Sequence, residues 1–379
     1  MNQAELQNGT PPSDHKKRPR RRMPTVLAVI YGTTLLSGLV YLSFRLFPPF
    51  ADLFNGTVAA FIRRILAYLT NLLPFSLAET MILALPLALA VALYVGLKYH
   101  NDTLRDALVY CGSMLAAVCI LLQLFVYAFA PGYFATGVDR KLGFERKDVS
   151  PEELYETATE LIGHVNAESE GVFFMQDGFS IMPYTHYTMN EKLLDAYEKV
   201  SEEYDAVKTF RSSTKPVLFS KVMSYMHITG VYTCFTGEAN VNVDFPDYTI
   251  PYTAAHELAH QRGFAREDEA NFIAFLVCTA SDDAYIRYSG YVAMYEYVMS
   301  ALARADRELY ADARAEVAEV VLAEGRAYAE FYKQYRNSTL GEVSGAINNS
   351  YLQIQGTVGT KSYGMVVDLA VAYFKRDAD

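Results

Sequence analysis

Three long stretches with no polar face constrain this chain more than any other feature. Residues 23–44 and 107–133 contain no charged side chain, and residues 77–97 are broken only by Glu79 near the start and by Pro86. A helix that is apolar on every face over such a length is solvated by lipid rather than by water. About 20 such residues cross the hydrocarbon core of a bilayer. The sequence therefore predicts three membrane spans, at about 23–47, 77–97 and 107–131. A cleaved signal peptide would have a shorter apolar core followed by a small-residue cleavage site. The first run is longer and ends in FRLFPPF, so it reads as an uncleaved span.

Basic residues orient the spans. KKRPRRR places six of them between Lys16 and Arg22, and the short loop KYHNDTLRD after the second run holds Lys98 and Arg105. Positive charge of this kind stays in the cytoplasm. The expected layout is a cytoplasmic tail at 1–22, a membrane region at 23–133 and an extracytoplasmic domain at 134–379, in a multi-pass protein of the cell membrane. The segment at about 51–74 reads as an amphipathic helix lying in the interface, with Arg63 and Arg64 reaching to the headgroups. A re-entrant segment is the alternative.

The net charge of −10 is unevenly shared: residues 1–130 hold 11 basic and 6 acidic side chains, residues 131–379 hold 22 and 37. The second part is acidic and a poor partner for nucleic acid. Four cysteines make no disulfide framework. Cys111 and Cys119 sit in an apolar run and read as small buried hydrophobes; Cys234 and Cys278 are free to pair as far as sequence shows.

Ser150, Pro151 and Glu153 form a capping box that opens a helix, and a second helix follows from Asn190. Residues 215–251 are rich in β-branched and aromatic side chains, which predicts two or three short strands, one near 231–235 and one near 238–243. From Tyr252 to about Arg336 the pattern is helical, with a last helix at SYGMVVDLAVAYF. The fold class expected is a three-span α-helical membrane region plus an α+β domain, mostly helical after a small mixed sheet. Tyr285, Tyr288, Tyr291 and Tyr295 recur at helical spacing and read as a packed stripe.

The chemistry concentrates in TAAHELAHQRGFAREDEANFIAF, residues 253–275. His256 and His260 lie one turn apart on one helix face and both can reach one ion. Glu257 projects beside them, placed to act on water rather than on the metal. Gly263 ends the helix. The competing reading is a helix with polar residues on an exposed face. As a zinc site the motif lacks a third ligand. No cysteine is near, and the position six residues after His260 is Arg266, not histidine. Glu267, Asp268 and Glu269 remain, at the start of the next helix. Glu267 and Glu269 stand about 200° apart on that helix, so only one of them faces the histidines.

Glu267, Ala270 and Asn271 resemble the ExxA[DN] helix of the gluzincins, HExxH metallopeptidases whose third zinc ligand is a glutamate on a later helix. The resemblance implies a zincin-like domain with His256, His260 and Glu267 as zinc ligands, Asn271 supporting them and Glu257 as catalytic base. Asp268 and Glu269 would then be helix-start charges or solvent-facing residues. In gluzincins the glutamate helix usually lies much farther along the chain; here six residues separate His260 from Glu267, and Glu269 stays as the fallback ligand. The layout also resembles an uncharacterised bacterial family with about three N-terminal spans, an outer HExxHxxG motif, a nearby Glu and an NF pair, here HELAHQRG, Glu267 and Asn271-Phe272. SYGMVVDL resembles its closing segment.

The expected function is a membrane-anchored zinc metallopeptidase acting on a peptide or protein outside the cytoplasm. The alternative is a non-catalytic zinc-binding sensor or scaffold that recognises a peptide or cell-wall ligand. Tyr363, Tyr351 and His227 are candidates for holding the oxyanion, and the segment TGEANVNV is a candidate edge strand for a peptide.

Overall fold

The computed structural model describes residues 25–100, 102–144 and 146–376, without the side chains of Ser362 and Tyr363. The basic cluster at 16–22 lies outside the described residues. The first apolar run forms α1 (Thr25–Leu46). The chain then turns through α2 (Pro48–Phe54), a π-helical turn at Asn55–Ala59 and α3 (Ala60–Asn71). The other two runs form α4 (Leu77–Tyr99) and α5 (Leu104–Ala128), capped by the Ser76 and Thr103 hydroxyls. All three apolar helices are long and apolar enough to cross a membrane, which supports membrane association.

α1 and α5 pack side by side. Tyr31 donates to the Gly112 carbonyl at 2.6 Å, and Gln123 donates to Thr34 at 2.9 Å. α4 stands apart: every residue from 80 to 91 is exposed, three full turns with no packed face. Its far end meets α5, where the Tyr110 hydroxyl bonds the Ala92 carbonyl and the ring stacks on His100.

The segment read as interfacial is helical, but its arginines do not both reach for headgroups. Arg63 is only 1% exposed. Its guanidinium donates to Asn55 Oδ1 and to the carbonyls of Asn55 and Ala128 at 2.7–3.0 Å. The polar face of α3 is turned into the protein, where the unpaired carbonyl at the end of α5 and the Asn55 side chain accept from the buried cation. Arg64 is on the exposed face, its guanidinium 5.5 Å from the centre of the Phe210 ring.

Beyond α6 (Pro131–Phe134) and α7 (Val138–Leu142), Ser150 and Glu153 complete the expected capping box of α8 (Pro151–Ser169). α9 (His186–Glu203) leads to a small mixed sheet. Its strands are β1 (Lys215–Pro216), then, after α10 (Ser220–Tyr225), β2 (Gly230–Thr233) and β3 (Glu238–Val241). The order is β1-β3-β2, with β1 parallel and β2 antiparallel to β3. The TGEANVNV strand is therefore the centre of the sheet, not an edge; both its sides are used in pairing, and the edge beside the candidate site is β2.

The rest is helical: α11 (Ile250–Arg262), α12 (Glu267–Thr279), α13 (Ala284–Ala305), α14 (Arg307–Ala315), α15 (Glu319–Tyr332), α16 (Thr339–Ile354) and α17 (Val366–Arg376). The sequence does not announce α16, because Gly341, Gly345, Asn348, Asn349 and Ser350 are poor helix formers. α11 is buried along its whole length, so the exposed-face reading of HELAH is excluded. Ala254, Ala255, Leu258 and Ala259 are fully buried in the core that α11 shares with α12 and α13, and Tyr285, Tyr288 and Tyr295 are buried in the same core. Cys234 and Cys278 are buried and unpaired.

A buried ion pair ties the sheet to the membrane region. Lys215 Nζ lies 2.6 Å from the Glu238 carboxylate, which also accepts from the Leu77 and Ala78 amides at the start of α4. A carboxylate there satisfies orphan amides and matches the helix dipole. Glu79 accepts in return from the Leu218 and Phe219 amides. This explains an acid inside an apolar run: it clamps α4 to the domain.

Candidate metal centre

α11 ends at Gly263, whose φ of +105° is open to glycine and strained for other residues. The Gly263 and Phe264 amides turn back onto the Ala259 carbonyl at 3.1 Å, and the chain re-enters a helix at Glu267. This tight turn brings the first residue of α12 in front of the last turns of α11. The membrane region holds it in place. Asn55 donates to the Gly263 carbonyl at 3.0 Å, and Arg63 Nη2 lies 3.5 Å from the Arg262 carbonyl. Gly132 packs so close that a Cβ there would lie 2.6 Å from the Gly263 oxygen.

Glu267 Oε2 sits 3.3 Å from His256 Nε2 and 3.4 Å from His260 Nε2. Among the described residues, these three side chains form the group that could hold a metal ion, with ligand atoms within 4.8 Å of one another. Oε2 is buried, yet it lacks a well-directed hydrogen bond from either ring. The three atoms thus converge without satisfying one another. Tetrahedral zinc, with bonds of about 2.0–2.1 Å, spaces its ligand atoms about 3.3 Å apart. The donor set, and the distances of both histidines from Glu267, fit such an ion.

His260 is further oriented by its other nitrogen, Nδ1, which lies 2.7 Å from the Phe264 carbonyl. That contact makes Nδ1 the protonated nitrogen and leaves the Nε2 lone pair for a metal. His256 Nδ1 is buried with no partner. In the metal-free chain, burial would lower the His260 pKa. The Glu267 carboxylate, with Glu257 and the Phe264 carbonyl, outweighs it and raises the value to about 9. Burial would raise the Glu267 carboxyl, but the two histidines hold it well below the usual carboxylate range.

Glu257 lies beside this group, and its Oε2 is buried without a partner. Burial pushes its pKa up, against the pull of His256 and His260. Its carboxylate lies on β2 where Gly230 leaves room; a Cβ at 230 would come within 2.6 Å of Oε1.

The other acids at the start of α12 are spoken for. Glu269 accepts from the Val138 amide at 2.8 Å and from the Arg266 guanidinium, so it does not join the histidines. Asp268 pairs with Arg146 at 2.5 Å. Both are buried rather than solvent-facing, because each meets a partner from the segment around residues 138–146. Asn271 makes no direct bond to the three convergent side chains among the described contacts. It donates to the Tyr297 hydroxyl at 3.2 Å, and burial together with the Glu267 charge raises Tyr297 to about 12.

A family model matches residues 54–371, a span that includes every residue of this centre. The chain belongs to the family described as Protein of unknown function (DUF3810). No curated protein and no solved structure matches it.

In this DUF3810 chain the centre is walled by aromatic side chains that the motif does not reveal. The Phe129 ring, just past α5, meets His260 edge-on at 6.0 Å and Tyr232 at 5.3 Å. Tyr133 donates to the Tyr351 hydroxyl at 2.9 Å. Burial raises the Tyr351 pKa, and Glu267 is close enough to add to the effect. His227 is elsewhere: its Nε2 lies 2.7 Å from the Tyr335 carbonyl. The Tyr363 side chain lies outside the described residues. The signal available for Phe129 and Tyr133 was their place at the end of an apolar run that leads into the domain.

Proposed function

We propose that this chain is a membrane-anchored zinc metallopeptidase of gluzincin-like type that cleaves peptide bonds outside the cytoplasm. The observation that carries the reading is the convergence of His256 Nε2 and His260 Nε2 on Glu267 Oε2, at 3.3 and 3.4 Å, with Glu257 alongside. Two histidines and one glutamate, with no fourth metal-binding side chain grouped with them among the described residues, match the donor set of a catalytic rather than a structural zinc site. Bound there, zinc supplies Lewis acidity, acidifying water and polarising a carbonyl. Glu257, with a carboxylate oxygen that has no other partner, takes the proton of the attacking water and passes it to the leaving amine. Burial raises its pKa, which strengthens it as a base. Tyr351 is the candidate for the oxyanion: it accepts from Tyr133 and keeps its own proton to donate.

The last turns of α1, the first turn of α4 and the last turn of α5 all touch the domain, through Tyr41 to Gln355, Leu77 to Glu238 and Phe125 to Tyr351. Three helices that alternate in this way would put the domain on the opposite side of the membrane from the first turn of α1. With the basic tail in the cytoplasm, the domain lies outside.

One observation favours the non-catalytic alternative, a zinc-binding sensor or scaffold: His256, Glu257, His260 and Glu267 are each no more than 9% exposed. A substrate must displace part of the aromatic wall. Glu257→Gln separates the two readings. Compared with wild type, cells carrying it should lose a set of protein N-termini created by cleavage, while the purified variant keeps its zinc. Identical N-termini in the two strains would refute the peptidase and leave the sensor.

A further inference from the structure

α16 is an unusual helix for an acidic domain. Over 16 residues it carries one charge, Glu342, and four of its large apolar side chains are in the open: Leu340, Val343, Ile347 and Ile354, each 53–68% exposed. Counting about 100° per residue, these four fall within about 60° of one another. The face that packs on the protein is a different one, centred on Gly341 and Leu352. Exposed Glu342 and Gln353 mark a third face. A helix with a protein face, a water face and an apolar face is built for a boundary between water and an apolar phase.

Its two ends locate that boundary. At the C-terminal end, the Tyr351 ring meets Phe125 in the last turn of α5 at 6.2 Å, and Gln355 accepts from Tyr41 in α1 at 3.1 Å. At the N-terminal end, Gly341 lies against the His227 ring, just past α10. The residues that lead into α10 are bonded to Glu79 at the start of α4, and there Leu218 is 83% exposed. α16 is about 24 Å long; its C-terminal end stands at the ends of α1 and α5, and its N-terminal end packs on His227. Its apolar stripe is as exposed as the apolar side chains of the membrane helices. A free protein surface seldom shows such a stripe.

We propose that α16 lies in the outer interface of the bilayer with Leu340, Val343, Ile347 and Ile354 in lipid, and that it holds the metal centre at the membrane surface. The occupant of the stripe is lipid rather than a second protein, because the C-terminal end of the helix is fixed to α1 and α5 where those helices leave the membrane. The inference rests on the three apolar helices crossing the membrane. It stands whether or not the centre hydrolyses peptides.

The chain has no tryptophan, so one introduced residue reports its own surroundings. Ile347→Trp and Glu342→Trp are placed separately in the full-length chain and reconstituted in nanodiscs of phosphatidylcholine, with and without brominated acyl chains. Ile347→Trp should lose most of its emission to the brominated lipid and little to aqueous iodide; Glu342→Trp should do the reverse. Leu340→Trp repeats the reading two turns away should Ile347→Trp disturb the helix. Quenching of Ile347→Trp and Leu340→Trp by iodide but not by brominated lipid would overturn the proposal. Protection of both from either quencher would overturn it too, since a protein partner would then cover the stripe.

Discussion

His260 is gripped at both ring nitrogens, by the Phe264 carbonyl and by the Glu267 carboxylate. Its metal-free pKa of about 9 means that the ring carries a proton at neutral pH. Zinc binds only the neutral imidazole, so binding must expel that proton. Zinc affinity should therefore rise about tenfold per pH unit from about pH 7 to 9 and level off above. Competition with a chelator across that range measures it, and an affinity independent of pH would show that zinc binding displaces no proton from His260. The pattern HELAH and the stop at Gly263 were legible in the sequence, because both depend on neighbours a few residues apart. The choice between Glu267 and Glu269 was not. Helical phase says that one of them faces the histidines; the structure decides because Val138 and Arg266 take Glu269, and Val138 lies 131 residues away in sequence.

The turn between α11 and α12 is an element borrowed from two parts of the chain. Its local shape comes from Gly263, but its position comes from Asn55, Arg63 and Gly132. Arg63→Met removes a buried cation and leaves the Ala128 carbonyl and the Asn55 side chain without their donor. The expected loss is on the order of 3 kcal/mol, a typical cost of breaking charged buried hydrogen bonds, together with weaker zinc retention. Thermal unfolding and metal content of the full-length variant in detergent read both. A variant as stable and as rich in zinc as wild type would show that the arginine does not brace the site. The apolar helices, the capped α8 and the strands near 231 and 238 were legible because periodicity and capping are local signals. The inward turn of Arg63 was not: an amphipathic helix at a membrane looks the same in sequence whether its polar face meets water or protein. α16 was hidden because its stability comes from what its faces touch, not from helix propensity.

At the scale of the whole molecule, the membrane region and the domain are one structure. Glu238 on the Leu77 amide, Lys215 on the Thr70 carbonyl, Glu79 on the Leu218 amide and Arg63 on the Arg262 carbonyl all bridge them, so the domain should not be treated as a passenger on an anchor. The layout predicts that, in intact cells, a tag after the last residue is open to an external protease and a tag before the first is not. The opposite accessibility would invert the orientation and put the centre in the cytoplasm. Charge asymmetry and basic loops pointed to this layout from the sequence. The packing of the centre against the end of α5 did not show there, because it depends on Phe129 meeting His260 and Tyr133 packing on Phe129, contacts the chain makes only when folded. The central claim is that His256, His260 and Glu267 hold zinc, and the most direct test is the metal content of the purified full-length chain. Wild type and Glu257→Gln should each carry one zinc ion per chain, and Glu267→Ala should lose most of it while Glu269→Ala keeps it. A wild-type chain without zinc, or one that keeps its zinc in Glu267→Ala, would contradict the account.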